Sequence, residues 1–121
     1  MGLNMTGLPK QIETSYGTVK YKYDSASRKT YYLLPNGIVH REDGPAIISD
    51  QGLEVWCNNG DYHRLDGPAV IYPSGHMEWY INDFQVTTKI QKWAKERDID
   101  LNNLTEEDKM AIKFEWGNYG K

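Results

Sequence analysis

The motif HREDGPA at residues 40–46 returns as HRLDGPA at residues 63–69. At this spacing of 23 residues, segment 37–59 lies over segment 60–82 without a gap. Eleven positions are identical: Gly37/Gly60, His40/His63, Arg41/Arg64, Asp43/Asp66, Gly44/Gly67, Pro45/Pro68, Ala46/Ala69, Ile48/Ile71, Gly52/Gly75, Trp56/Trp79 and Asn59/Asn82. A period of this length marks stacked supersecondary units, none of which buries its apolar face alone. The fold must therefore accept the same unit twice, side by side.

Each unit reads as a β-hairpin. In the first copy PAIIS is a short β-prone run, DQG a turn and LEVWC the return strand; the second runs PAVIY, PSG, HMEWYI. Asn-Gly at 59–60 and at 36–37 punctuates strand ends. Upstream, GTVKYKY and TYYLL form a degenerate hairpin over residues 14–35 that lacks the His-Arg-Asp loop. About six strands in one antiparallel meander are expected. After Phe84 the pattern changes. TTKIQKWAKERDI carries Ile90, Trp93 and Ala94 at helical spacing behind Thr87 or Thr88 as N-cap. TEEDKMAIKFEW opens with a capping box, Thr105 with Asp108, and Met110, Ala111 and Phe114 supply its apolar stripe. The reading is a mainly β, α+β chain of a single domain, 1–121. It comprises the degenerate hairpin, two tandem repeats at 36–84 and a helical cap at 85–121.

The repeated loop carries two readings. As a connector, Gly44 and Gly67 would supply backbone angles closed to other residues, and Pro45 and Pro68 would open strands. Asp43 and Asp66 would accept nearby backbone amides while Arg41 and Arg64 brace them. As a site, His40, Asp43, His63 and Asp66 with the arginines form a row that could bind or hydrolyse a phosphate ester or nucleotide. One His and one Asp per loop supply no recognisable metal set, so no metal or cofactor is expected.

Strand alternation separates two faces. Ala46, Ile48 and Trp56, with Ala69, Ile71 and Trp79, form the expected common core face. The opposite face carries Ile47, Leu53, Val55 and Cys57 in the first copy, and Val70, Tyr72, His76, Glu78 and Tyr80 in the second. A face apolar at one end and rich in tyrosine at the other calls for a cover, either the C-terminal segment or a partner. Tyr72, His76, Glu78 and Tyr80, with Arg41 and Arg64 from the loops, are the expected partner-binding residues, because tyrosine and arginine dominate interface energies.

The 121 residues carry a formal net charge of −3, and this mild acidity disfavours nonspecific nucleic-acid binding, which needs a basic stripe. No apolar run reaches membrane-helix length, and MGLNMTGLPK lacks the features of a signal peptide. MGLNMT fits the short myristoylation pattern, a motif that constrains sequence only loosely. Cys57 is the only cysteine; with no disulfide to form, it fits a reducing, cytoplasmic compartment.

The pattern NGxxHRxDGPA followed by GxxxW is similar to hairpin repeats of small proteins from tailed phages and bacteria. More distantly it resembles MORN-type repeats. The resemblance is good over residues 36–84 and weak over 14–35. It implies a repeat β-sheet in a small non-enzymatic protein, phage-encoded and acting in the host bacterial cytoplasm, and no shared activity. The resulting expectation is a protein–protein interaction module that inhibits or redirects a host enzyme or defence factor. The other readings are the loop-based ligand site and a minor virion or assembly component whose sheet edge pairs with copies of itself.

Overall fold

The computed structural model describes residues 8–121; the myristoylation-like hexapeptide lies outside them. The fold is mainly β. A seven-stranded antiparallel sheet runs in chain order from β1 (Gln11–Thr14) through β2 (Gly17–Asp24), β3 (Lys29–Leu33), β4 (Ile47–Ser49) and β5 (Glu54–Val55). The chain then leaves the sheet as a small hairpin, β6 (Cys57–Asn58) and β7 (Asp61–Tyr62). It rejoins as β8 (Val70–Ile71) and ends the sheet at β9 (Met77–Glu78). A second hairpin, β10 (Tyr80–Ile81) and β11 (Phe84–Gln85), repeats the first, and helices α1 (Thr87–Glu96) and α2 (Glu106–Trp116) follow.

Six strands are therefore too few. LEVWC and HMEWYI each divide between the main sheet and a side hairpin, at Trp56 and Trp79. The turns drive that excursion. Asn59 and Gly60 both have positive φ, at 48° and 89°, as do Asn82 and Asp83, at 50° and 72°. Two successive left-handed residues make the tight turn whose twist suits a two-residue hairpin loop. β1 was not expected, because QIET is short and polar at three of its four positions.

Three apolar clusters replace the single expected core face. Val19, Tyr32, Leu34 and Ile48 bury one end of the common face, and Trp79 joins the helices at the other. Between them Trp56 and Ile71 are only half-buried. The opposite face has its own cluster of Val55, Cys57 and Val70 with Ala46, covered by Val39, Ile47, Leu53 and Tyr80. The helices do not cover that face. Ile90, Trp93 and Ala94 of α1 and Ile112 and Trp116 of α2 pack with Trp79, Ile81 and Val86 at the end of the array. Fully burying a side chain such as Ile90 contributes about 1.5–3 kcal/mol, so this cluster alone anchors the cap.

The cap begins where the repeat stops. Val86 stands 23 residues after His63 and its amide donates to the Trp79 carbonyl, as the His63 amide donates to Trp56. Thr87, at the arginine position, is the first helical residue rather than the N-cap, which is Val86. Its hydroxyl instead accepts the Trp79 N–H at 3.0 Å, replacing the Ala69 carbonyl that accepts the Trp56 N–H. In α2 the capping box is present: Thr105 Oγ1 accepts the Asp108 amide, and Asp108 Oδ2 accepts that of Thr105. The expected stripe of Met110 and Phe114 faces out, at 70% and 92% exposure, and Ile112 and Trp116 face in. Ala111 is partly buried against the cluster as expected. Both stripes have helical spacing; the larger area of Trp116 against Trp93 decides the rotation.

Candidate functional site

The two HRxDGPA loops repeat one another atom for atom. Nδ1 of His40 accepts the amide of left-handed Asn59 at 2.7 Å, and Nδ1 of His63 accepts that of Asn82 at 2.9 Å. Each histidine thereby clamps the hairpin turn that lies 19 residues ahead. Arg41 Nε donates to Asp43 and its Nη1 to the Pro45 carbonyl, at 2.9 and 3.2 Å. Arg64 does the same with Asp66 and Pro68, at 2.9 and 3.1 Å. Each guanidinium lies over an aromatic ring, Tyr32 of β3 for Arg41 at 4.5 Å and Trp56, between β5 and β6, for Arg64 at 3.8 Å.

This geometry corrects the expected role of the glycines. Neither Gly44 nor Gly67 has positive φ. A Cβ at Gly44 would stand 2.6 Å from the Arg41 guanidinium carbon, and one at Gly67 would stand 2.5 Å from that of Arg64. Glycine is required because the arginine lies against the backbone. The aspartates likewise serve the arginines first. Burial acts to raise the Asp66 carboxyl, but the hydrogen bond and charge of Arg64 outweigh it and hold the group below its ordinary value.

The loops differ at one residue. In the first, Nδ1 is occupied as an acceptor, so Nε2 of His40 carries the proton and donates to Glu42 Oε2 at 3.1 Å. Ser15 donates to the same oxygen, and the Tyr16 ring stands edge-on to the imidazole. His40 is fully buried. In the second loop Leu65 occupies the place of Glu42 and packs against the helical cluster, leaving Nε2 of His63 without a partner among the described residues. Burial, with the charge of Lys121, holds His63 below the ordinary histidine value.

The residues expected to bind a partner fall in two places. Arg41 and Arg64 are engaged as above, with side chains only 10% and 19% exposed. Tyr72, His76, Glu78 and Tyr80 gather on the opposite face at the β9 end. The Tyr72 hydroxyl donates to Glu78 Oε1 at 3.1 Å, and His76 Nε2 lies 3.4 Å from Oε2. The Tyr72 and His76 rings are 5.5 Å apart, and Tyr62 meets Tyr80 edge-to-face at 5.1 Å. Tyr62, Tyr72 and His76 are exposed. The hydrogen bond to Glu78 raises the Tyr72 phenol and burial raises that of Tyr80, so both stay protonated as donors at neutral pH. Sequence reasoning missed Tyr62. Reading Asn59-Gly60 as a closed two-residue hairpin would have placed Tyr62 opposite Cys57, beside Tyr80 one unit on.

Nothing in either place resembles an activated nucleophile. Burial pushes the Cys57 thiol up to about 12. Among the described residues no group of three His, Cys, Asp or Glu side chains could hold a metal ion, and no helix is long and apolar enough to cross a membrane. No family model, curated protein or solved structure matches this chain.

Proposed function

We propose that the chain is a non-enzymatic protein-binding module that seats its partner on the tyrosine face. One observation supports the reading: Tyr62, Tyr72, His76 and Tyr80 stand together around Glu78 in mutually braced positions, and three of the four are exposed. Rigid aromatic rings with polar tips lose little entropy on binding and bury large areas, which is why they anchor interfaces. The loops argue for scaffold rather than chemistry, because their arginines and aspartates are spent on each other. On the resemblance of the repeats to those of tailed-phage proteins, the partner is a host enzyme or defence factor in the bacterial cytoplasm.

The test starts with affinity capture from bacterial lysate and ends with titration of the purified partner. Tyr72→Ala/Tyr80→Ala should weaken binding by about 100-fold, the loss of two central anchors. Because Tyr80 also covers the cluster beneath it, Tyr72→Ala/His76→Ala serves as a second variant that leaves the fold alone. Unchanged affinity in a folded variant sinks the proposal.

A further inference from the structure

We propose a second site, for a small zwitterion of the amino-acid class, in the cavity between the two repeat loops. The cavity measures about 220 Å³. Arg41 and Glu42 come to it from the first loop and His63 and Arg64 from the second. Trp56 and Asn58 line it from the strand and turn between, and Lys113 of α2 completes it.

Two polar atoms on the lining residues, Trp56 Nε1 and Asn58 Oδ1, are buried and have no hydrogen-bond partner among the described residues. One is a donor and the other an acceptor, two residues apart in sequence. Leaving such groups unpaired costs about 1–3 kcal/mol each, and both are sealed from solvent, so a ligand gains what the fold forgoes only by shifting the lining side chains to reach them. His63 adds a third unpartnered polar atom, its Nε2 N–H, because Leu65 has replaced the carboxylate that occupies His40. Trp93 and Trp116 also lack partners for their Nε1 atoms among the described residues, but they lie within the helical cluster.

Charge narrows the ligand. Arg41 and Arg64 are each balanced by their own aspartate. Among the residues that line the cavity, what remains is one cation, Lys113, which joins no ion pair among the described residues, and one anion, Glu42, whose Oε1 accepts no hydrogen bond from them. A simple anion would be repelled by Glu42, and a simple cation by Lys113. A molecule with a carboxylate for Trp56, His63 and Lys113 and an ammonium for Asn58 and Glu42 satisfies both ends at once. The volume of about 220 Å³ suits a small amino acid. The site arises once, because Val86 and Thr87 replace the histidine and arginine at the next junction, where the helices pack.

The test is isothermal titration of the full chain with glycine, alanine and serine, beside the single-ended controls acetate and methylamine. Saturable binding of at least one amino acid, with neither control saturating in the same range, is expected. Trp56→Phe, which keeps the ring beneath Arg64, and Asn58→Leu should each weaken binding about tenfold. Melting curves establish that both variants fold. Tyr72→Ala/His76→Ala should bind the amino acid as wild type does, so failure here is distinct from failure at the tyrosine face. Absence of saturation by all three amino acids overturns the proposal. So does acetate binding as tightly as glycine, or wild-type affinity in both cavity variants.

Discussion

The loop at His40 and the loop at His63 share the histidine clamp and the arginine hydrogen bonds, yet one is sealed and the other open. The first is closed by Glu42 and by the N-terminal turn, through Ser15 and Tyr16. The second has Leu65 where Glu42 stood, and that side chain has gone to the helical cap. A single variable position thus decides whether a repeat's histidine is finished as structure or left with a polar atom to spare. Identity of motif did not bring identity of role.

The comparison breaks most readily at the histidines. His40→Ala should cost about 3 kcal/mol, since it removes a fully buried imidazole, opens a cavity and takes the acceptor from the Asn59 amide. His63→Ala should cost about half that, because His63 is only half-buried and leaves a smaller cavity. Urea denaturation of the two variants reads the difference, and equal losses would mean that the loops are energetically alike.

Next come the glycines, where the loops should agree. Gly44→Ala and Gly67→Ala should each cost about 2 kcal/mol by expelling a guanidinium from its ring and carbonyl. In an Arg41→Ala background the Gly44→Ala step should add less than about 0.5 kcal/mol, because the obstructing group is gone. A full second loss in that double mutant would move the explanation from the arginine to the backbone.

Leu65→Glu tests the variable position itself. It offers His63 the carboxylate that His40 enjoys, but withdraws an apolar side chain from the cap. A net loss of about 1 kcal/mol is expected, the transfer term exceeding one partly exposed hydrogen bond. Hydrogen exchange should quicken in α1 and α2 and not in β2 or β3; faster exchange at the N-terminal strands would contradict the assignment of Leu65 to the cap.

The smallest effect is on pH dependence. Since folding holds His63 below its ordinary value of 6.5, the unfolded chain binds the extra proton first as the solution is acidified. Stability from this group is complete above 6.5 and falls away as pH drops through the folded value. Asp66, held below 3.8, acts in the same direction but in a separate, lower window. His63→Gln should flatten the stability profile just below pH 6.5 while leaving the more acidic limb. A profile unchanged by His63→Gln would assign that slope to another group.

Much of this was legible in the chain. The 23-residue period, the hairpins, the Thr105 capping box and the inward residues of α1 follow from spacing, because each depends on partners at a set sequence distance. The repeated loop was legible as a connector, though not its working. That a glycine is present to admit a guanidinium, and not to turn the backbone, requires knowing where Arg41 comes to lie. The tyrosine cluster was half legible: Tyr72, His76, Glu78 and Tyr80 share a face by alternation, whereas Tyr62 reaches them only through the excursion of β6 and β7.

By itself, then, the sequence determined the unit and its repetition, since the clamp from His40 to Asn59 spans 19 residues and recurs wherever the motif does. Tertiary structure alone decided how the array ends. Met110 with Phe114 and Ile112 with Trp116 are both apolar pairs at helical spacing, and nothing local prefers either. The choice went to the pair that could bury the greater area against Trp79 and Trp93, drawing Leu65 with it. Local rules weigh contacts at a given sequence separation, and that choice depends on a surface that exists only once the hairpins have stacked.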